Sequence, residues 1–227
     1  MMEIDYGKTF AVWRAGAQDK WRDYTHHSFV EGLRDGSLPR ASFLHYLVQD
    51  YVFLVHFSRA WSLAVVKSET LEEMKVCAGT VDALVNHEMS LHVKTCAREG
   101  IDEQALFTAS ESVENLAYTR YVMDSGMQGD FLDMMAALAP CVMGYGEIGL
   151  RLAADKAADT PYAEWIATYA DPEYQAVCTS VGAMIDGAVA RRIGDLSTSP
   201  RASALQDRFN IATQLEVGFW SMGVNAA

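Results

Sequence analysis

The sequence predicts an all-α protein, a bundle of roughly eight helices around one shared interior. Three observations carry that expectation. Apolar residues recur at intervals of three and four over long windows, and strict alternation is scarce. Three dipeptides, Thr160-Pro161, Asp171-Pro172 and Ser199-Pro200, have the form of helix starts. Each offers a side-chain acceptor at the cap and a proline at the first helical position, where its missing N–H costs nothing.

In chain order, the first helix is expected over about 5–26, followed by the turn residues Asp35-Gly36-Ser37-Leu38-Pro39. A long helix fits 41–66, where Leu44, Leu47, Tyr51, Leu54, Val55 and Phe57 hold helical spacing before Trp61 and Val65. Thr70 and Glu73 form a capping box that opens a helix running to about Arg98, before Gly100. Further helices fit 110–126, 130–156, 172–193 and 200–223, with Gly126-Met-Gln-Gly129 as an ordinary connection. No internal repeat, low-complexity tract or long linker interrupts the 227 residues, so one domain over 1–227 is expected.

Composition removes several function classes. A net charge of −12, with Arg191-Arg192 as the densest basic pair, argues against nucleic acid, whose phosphates need clustered Lys and Arg. The start Met-Met-Glu-Ile-Asp-Tyr has neither the basic nor the apolar region of a secretory signal. The longest uncharged stretch, Met134 to Gly146, is too short to span a bilayer, so no membrane association is expected. Cys77, Cys96, Cys141 and Cys178 are widely spaced, with no CxxC pair, which suits a reduced, cytoplasmic protein.

The segment Ala136–Gly149 is the most informative. Pro140 lacks an N–H and its ring crowds the carbonyl four residues back, so a helix through it should kink. Cys141 follows directly, and Tyr145 lies one turn on along the same face. A thiol and a phenol on a bent, glycine-loosened helix suit a pocket wall, although a lone buried cysteine also serves as a small hydrophobe.

Two carboxylates sit where periodicity calls for apolar residues. Asp50 has Tyr46, Leu47, Phe53 and Leu54 as helical neighbours, and Glu216 has Ala212, Thr213, Phe219 and Trp220. A carboxylate on an apolar face must be paired, protonated or bound to something. Each alone fits a structural acid that bridges helices; two with a thiol, on three helices, point toward a site. A cysteine with a glutamate is a nucleophile and proton-transfer pair. A buried aspartate among tyrosines suits a neutral, nitrogen-rich ring, with Tyr118, Tyr145 and Tyr169 as candidate lining or as ordinary core.

Metal ligation fails on inventory. All six histidines lie within the first 92 residues, no Glu-x-x-His occurs, and His87-Glu88 with His92 misses the His-Glu-x-x-His spacing. Phosphate-cofactor motifs and a Gly-x-Ser-x-Gly elbow are likewise absent from the sequence.

Six motifs in order give the chain a resemblance: Phe43-Leu-His-Tyr46-Leu-Val-Gln49-Asp50-Tyr51, Glu88-Met-Ser-Leu-His92, Tyr118-Thr119, Pro140-Cys141-x-x-x-Tyr145 with Ile148-Gly149, Trp165-Ile-Ala-Thr-Tyr169, and Glu216-x-x-Phe219-Trp220. Over nearly its whole length the chain resembles the TenA family, the class II thiaminases, in its cysteine-bearing branch. The resemblance implies a heme-oxygenase-like helical bundle, usually a homotetramer. It implies Cys141 as nucleophile, Glu216 as acid/base, Asp50 gripping an aminopyrimidine, and Tyr118, Tyr145, Tyr169 and Phe219 lining the pocket. His92 is expected at the substrate site as a polar rim or packing residue. Phe53 departs from the pattern, since many members carry tyrosine there. The implied reaction converts an aminomethylpyrimidine to hydroxymethylpyrimidine and ammonia with no cofactor or metal, with thiamin as a second substrate. A pyrimidine-binding regulator, an altered-specificity relative and a di-iron oxidase are the alternatives on the same bundle.

Overall fold

α9, Phe131–Asp155, is the axis around which the other helices pack, and every residue from Phe131 to Gly149 in it is buried. A helix that is apolar on all sides has nowhere else to go. The computed structural model describes residues 5–226, with Leu91 described by its backbone alone; the Met1–Ile4 start lies outside them. Among the described residues there are helices and no strand. They run α1 Lys8–Ala17, α2 Asp19–Thr25, α3 Ser28–Asp35, α4 Arg40–Lys67, α5 Leu71–Ala83, a π turn Leu84–Glu88, α6 Met89–Arg98, α7 Glu103–Phe107, α8 Val113–Gln128, α9, α10 Ala163–Ala170, α11 Pro172–Arg192 and α12 Ala202–Asn225. One contiguous apolar core joins residues from Tyr6 in the N-terminal segment to Met222 in α12.

The caps explain which starts hold and which move. Thr70 accepts from the Glu73 N–H at 3.1 Å and Glu73 returns the bond, completing the capping box of α5. Asp171 accepts from the Glu173 N–H at 2.8 Å, with Pro172 as the first residue of α11. The other two proline signatures make turns instead. Thr160 donates its hydroxyl to Leu33 O at 2.7 Å and is tied to the neighbouring segment, so α10 begins only at Ala163. Ser199 accepts from the Arg201 N–H at 3.2 Å, and α12 begins at Ala202.

The expected 5–26 helix divides at Gln18, a non-glycine residue with φ 45°, into α1 and α2. Such a conformation stores about 1–3 kcal/mol of strain and has no sequence mark. The short helices α3 and α7 are additional to the elements read from periodicity. The expected 70–98 helix is continuous but contains the π turn, where Met89 N–H bonds to Leu84 O, five residues back. Pro140 does not break α9, which stays helical on both sides of it.

α9 is longer than the uncharged Met134–Gly146 stretch from which no membrane association was expected. By length and apolarity it could cross a bilayer, and its most apolar window is 100% buried by neighbouring helices. Its two inward charges are matched. Asp133 accepts from Arg208 Nε at 2.6 Å and Arg201 Nη2 at 2.6 Å, and Glu147 from Arg14 Nε at 2.7 Å and Trp21 Nε1 at 3.1 Å. The basic pair Arg191-Arg192 is engaged too. Burial would raise Glu73, but both guanidiniums and backbone N–H groups hold it at about 2.

Gly149 is where α9 and α10 touch backbone to side. A Cβ there would sit 2.4 Å from the Tyr169 carbonyl carbon. Gly149→Ala is therefore expected to destabilise the protein by about 2–3 kcal/mol, since a packed interface must open for one methyl. Urea unfolding checks this, and a loss under about 0.5 kcal/mol would contradict the contact.

Candidate active site

A cavity of about 390 Å³ opens between α4, α5, the π turn, α9, α10 and α11, and Cys141 lies on its wall. Leu54, Phe57, Val142 and Val177 supply its apolar surface. His87, Glu88, Thr168, Asp171 and Glu173 supply its polar edge. The π turn brings three of its five residues, Leu84, His87 and Glu88, onto this wall. Such turns occur often at functional sites because they re-aim side chains that a regular helix would place elsewhere.

Of the sequence-derived candidates, Cys141 lines this open space, and the rest are not among its lining residues. Asp50 on α4 is 2% exposed. Its Oδ2 accepts from the Tyr46 hydroxyl at 2.9 Å and lies 2.6 Å from His92 Nε2. His92 is fully buried on α6, so of the two places expected for it, rim or packing, it takes the packed one. Its Nδ1 is 3.0 Å from Glu88 O, a carbonyl that can only accept, so the proton is on Nδ1. Burial alone would lower its basicity, but the Asp50 carboxylate outweighs this and raises it. His92 Nε2 faces the Asp50 carboxyl across two packed helices, and the two form a buried hydrogen-bonded pair.

Tyr46 extends the network. Its hydroxyl accepts from Trp165 Nε1 at 3.2 Å and lies 3.5 Å from the Tyr145 hydroxyl. Tyr145 packs on Tyr169 and Trp220, with centroids 4.9 and 5.3 Å apart. Phe53 sits among Phe57, Tyr118 and Phe219, at 5.1, 4.9 and 5.5 Å. Tyr46 and Trp165 stood in the sequence as motif residues without a role, because helical spacing cannot tell which buried ring carries a used polar atom.

Glu216 on α12 is 1% exposed and accepts the Tyr118 hydroxyl on Oε1 at 2.8 Å. Burial pushes its carboxyl up to about 8; Tyr118, Cys141 and Tyr24 partly oppose this, while Asp50 adds to it. Glu88 accepts the Tyr169 hydroxyl at 2.8 Å, and burial with the Asp50 charge lifts it to about 7. The Cys141 thiol is raised well above its ordinary range by burial, then by Glu216, Glu88 and Asp50. A cysteine in this setting rests as the thiol, since no Lys or Arg among the described residues lines the cavity. No group of three or more His, Cys, Asp and Glu side chains among the described residues is placed to hold a metal.

The model of the TENA/THI-4/PQQC family matches residues 14–226, which contain all these groups. The chain belongs to that family. An aminopyrimidine aminohydrolase from Halalkalibacterium halodurans is 33% identical over 222 residues, spanning 97% of this chain and 93% of the relative. The crystal structure of a protein described as a TenA family transcription regulator, from Silicibacter sp. TM1040, shares 58% identity with TM-score 0.95 over 99% of both chains. A heme oxygenase-like domain of unknown function from Shewanella denitrificans shares 10% identity with TM-score 0.69, over 93% of this chain and 90% of its own. It agrees with this TenA chain in fold: an all-α, heme-oxygenase-like bundle.

Proposed function

We propose that this TenA protein is a hydrolase of thiamin salvage that converts 4-amino-5-aminomethyl-2-methylpyrimidine to hydroxymethylpyrimidine and ammonia, with Cys141 as nucleophile. One observation carries the reading: a buried thiol on a cavity wall, backed by Glu216 with its carboxyl at about 8. Relatives from three bacteria named aminopyrimidine aminohydrolase support it.

The protons can be followed. Glu216 starts protonated and gives its proton to a ring nitrogen; its carboxylate then takes the proton of Cys141, whose sulfur adds to the ring. The net movement is one proton from sulfur to nitrogen, which makes a weakly acidic thiol nucleophilic only when a ring is present. The adduct expels the amine from its –NH3⁺ form, the C–N electrons leaving with nitrogen as neutral ammonia. Water adds to the methylene and loses a proton, the ring expels sulfur, and the thiol is restored. Asp50, held by His92 and Tyr46 through Oδ2, keeps Oδ1 to accept from the ring's amino group. Thiamin would react by the same steps with a different leaving group.

A gene-regulatory role finds no support in the charge distribution. The protein carries −12, and both guanidiniums of Arg191-Arg192 are held by Glu73. The assembly that goes with the hydrolase reading is a homotetramer, consistent with exposed Val66, Phe107, Val113 and Met127. Light scattering should give four times the 25.1 kDa chain mass, and a monomer mass would remove this part. Ammonia release from the aminomethylpyrimidine, wild type beside Cys141→Ala, tests the reaction itself.

A further inference from the structure

We propose that Glu88, aimed into the cavity by the π turn, binds the departing amine of the substrate as its ammonium and then receives the water that replaces it. This rests on the pyrimidine hydrolase reading. In the sequence Glu88 stood in a failed metal motif and at the head of Glu88-Met-Ser-Leu-His92, with no role of its own.

The geometry separates Glu88 from Asp50 and Glu216, which do not line the cavity. Asp50 and Glu216 are enclosed, but Glu88 is partly exposed and lines the open space together with Cys141. Tyr169 donates to its Oε1, and no donor among the described residues reaches Oε2. One oxygen is therefore anchored and the other is left for a ligand. The surrounding wall has one sign: Asp171 and Glu173 share it, and His87 is its sole basic side chain. A cationic amine meets complementary charge there, whereas an anionic leaving group meets none.

The chemistry uses the same oxygen twice. Before cleavage, Oε2 accepts a hydrogen bond from the –NH3⁺ group, keeping nitrogen fully protonated so that it leaves as neutral ammonia. Afterwards, water occupies that place, its oxygen bonds to the methylene, and its spare proton passes to Glu88. A carboxyl poised at about 7 suits a group that must give and take one proton near neutral pH. The proton returns to ammonia or to bulk water as the product leaves.

The test compares two ligands that differ in charge and hardly in shape: 4-amino-5-aminomethyl-2-methylpyrimidine and its hydroxymethyl counterpart. Affinities are measured by calorimetry in a Cys141→Ala background, with and without Glu88→Gln. The amine should bind tighter than the alcohol, and Glu88→Gln should weaken the amine by about tenfold or more while moving the alcohol less than about twofold. Unchanged alcohol binding also shows that the pocket is intact. Equal effects on both ligands, or none on either, overturn the role of Glu88 and leave the hydrolase reading standing. If neither ligand binds with Glu88 present, the pyrimidine reading falls, and this inference with it. Glu88→Asp keeps the charge on a shorter arm; it should retain more of the amine preference than the glutamine variant, and it serves if that variant folds poorly.

Discussion

Cys141→Ala should reduce ammonia release from the aminomethylpyrimidine by about 10³-fold or more, equivalent to over about 4 kcal/mol of transition-state stabilisation. The loss is large because the covalent route disappears altogether, and the remaining groups can only position substrate and water. Binding should persist, since the aromatic enclosure and Asp50 are untouched. Cys141→Ser should be nearly as poor, because a hydroxyl is a weaker acid than the thiol that Glu216 must deprotonate. Steady-state assays beside calorimetry separate the two effects. A Cys141→Ala enzyme that retains more than about a tenth of its turnover would sink the covalent mechanism, whatever its affinity.

Glu216→Gln should do two opposite things. Turnover should fall by about 10²–10⁴-fold, the usual range for removing an acid/base group. Stability at alkaline pH should rise. The sign follows from the direction of the shift. The carboxyl is at about 8 in the folded protein against an ordinary 4.5, so the folded state holds its proton longer than the unfolded one. Its contribution is therefore fully present below pH 4.5 and is lost as pH rises through about 8. A shift of this size corresponds to several kcal/mol. Glutamine has no proton to lose and keeps an oxygen for the Tyr118 hydroxyl, so the variant should match wild type near pH 4.5 and exceed it at pH 9. Glu88 drives wild-type stability the same way between 4.5 and about 7, but it does so in both proteins and cancels in the comparison. Urea unfolding at the two pH values decides it: parallel curves would mean that Glu216 is already ionised in the folded state. Residues tuned for chemistry at the expense of stability commonly behave in this way.

Asp50 and Glu216 were legible because each broke a helical apolar stripe, and such a break has few explanations once the helix is buried. Cys141 and Tyr145 stood out for the same reason, on a helix apolar enough to be the core. His92 was visible as a motif residue but not as the partner of Asp50, because 42 positions separate them and the bond exists only across two packed helices. Glu88 was harder still. Its placement depends on the π turn, one extra residue within a helical turn, and the Leu84–Glu88 sequence has no glycine or proline to announce it. Gln18, with its left-handed backbone, hid the division of α1 from α2 in the same manner.

The sequence by itself determined the long helices, through apolar spacing and caps, and with them the family. These are local or summed properties, readable wherever a pattern repeats along the chain. Which polar atoms meet, and in what protonation state, was decided only by the tertiary structure. Burial strips water from Cys141 and Glu216, and the charges around them then act through a medium too apolar to screen them. That environment is made by helices from every part of the chain, so no segment of it carries the answer alone.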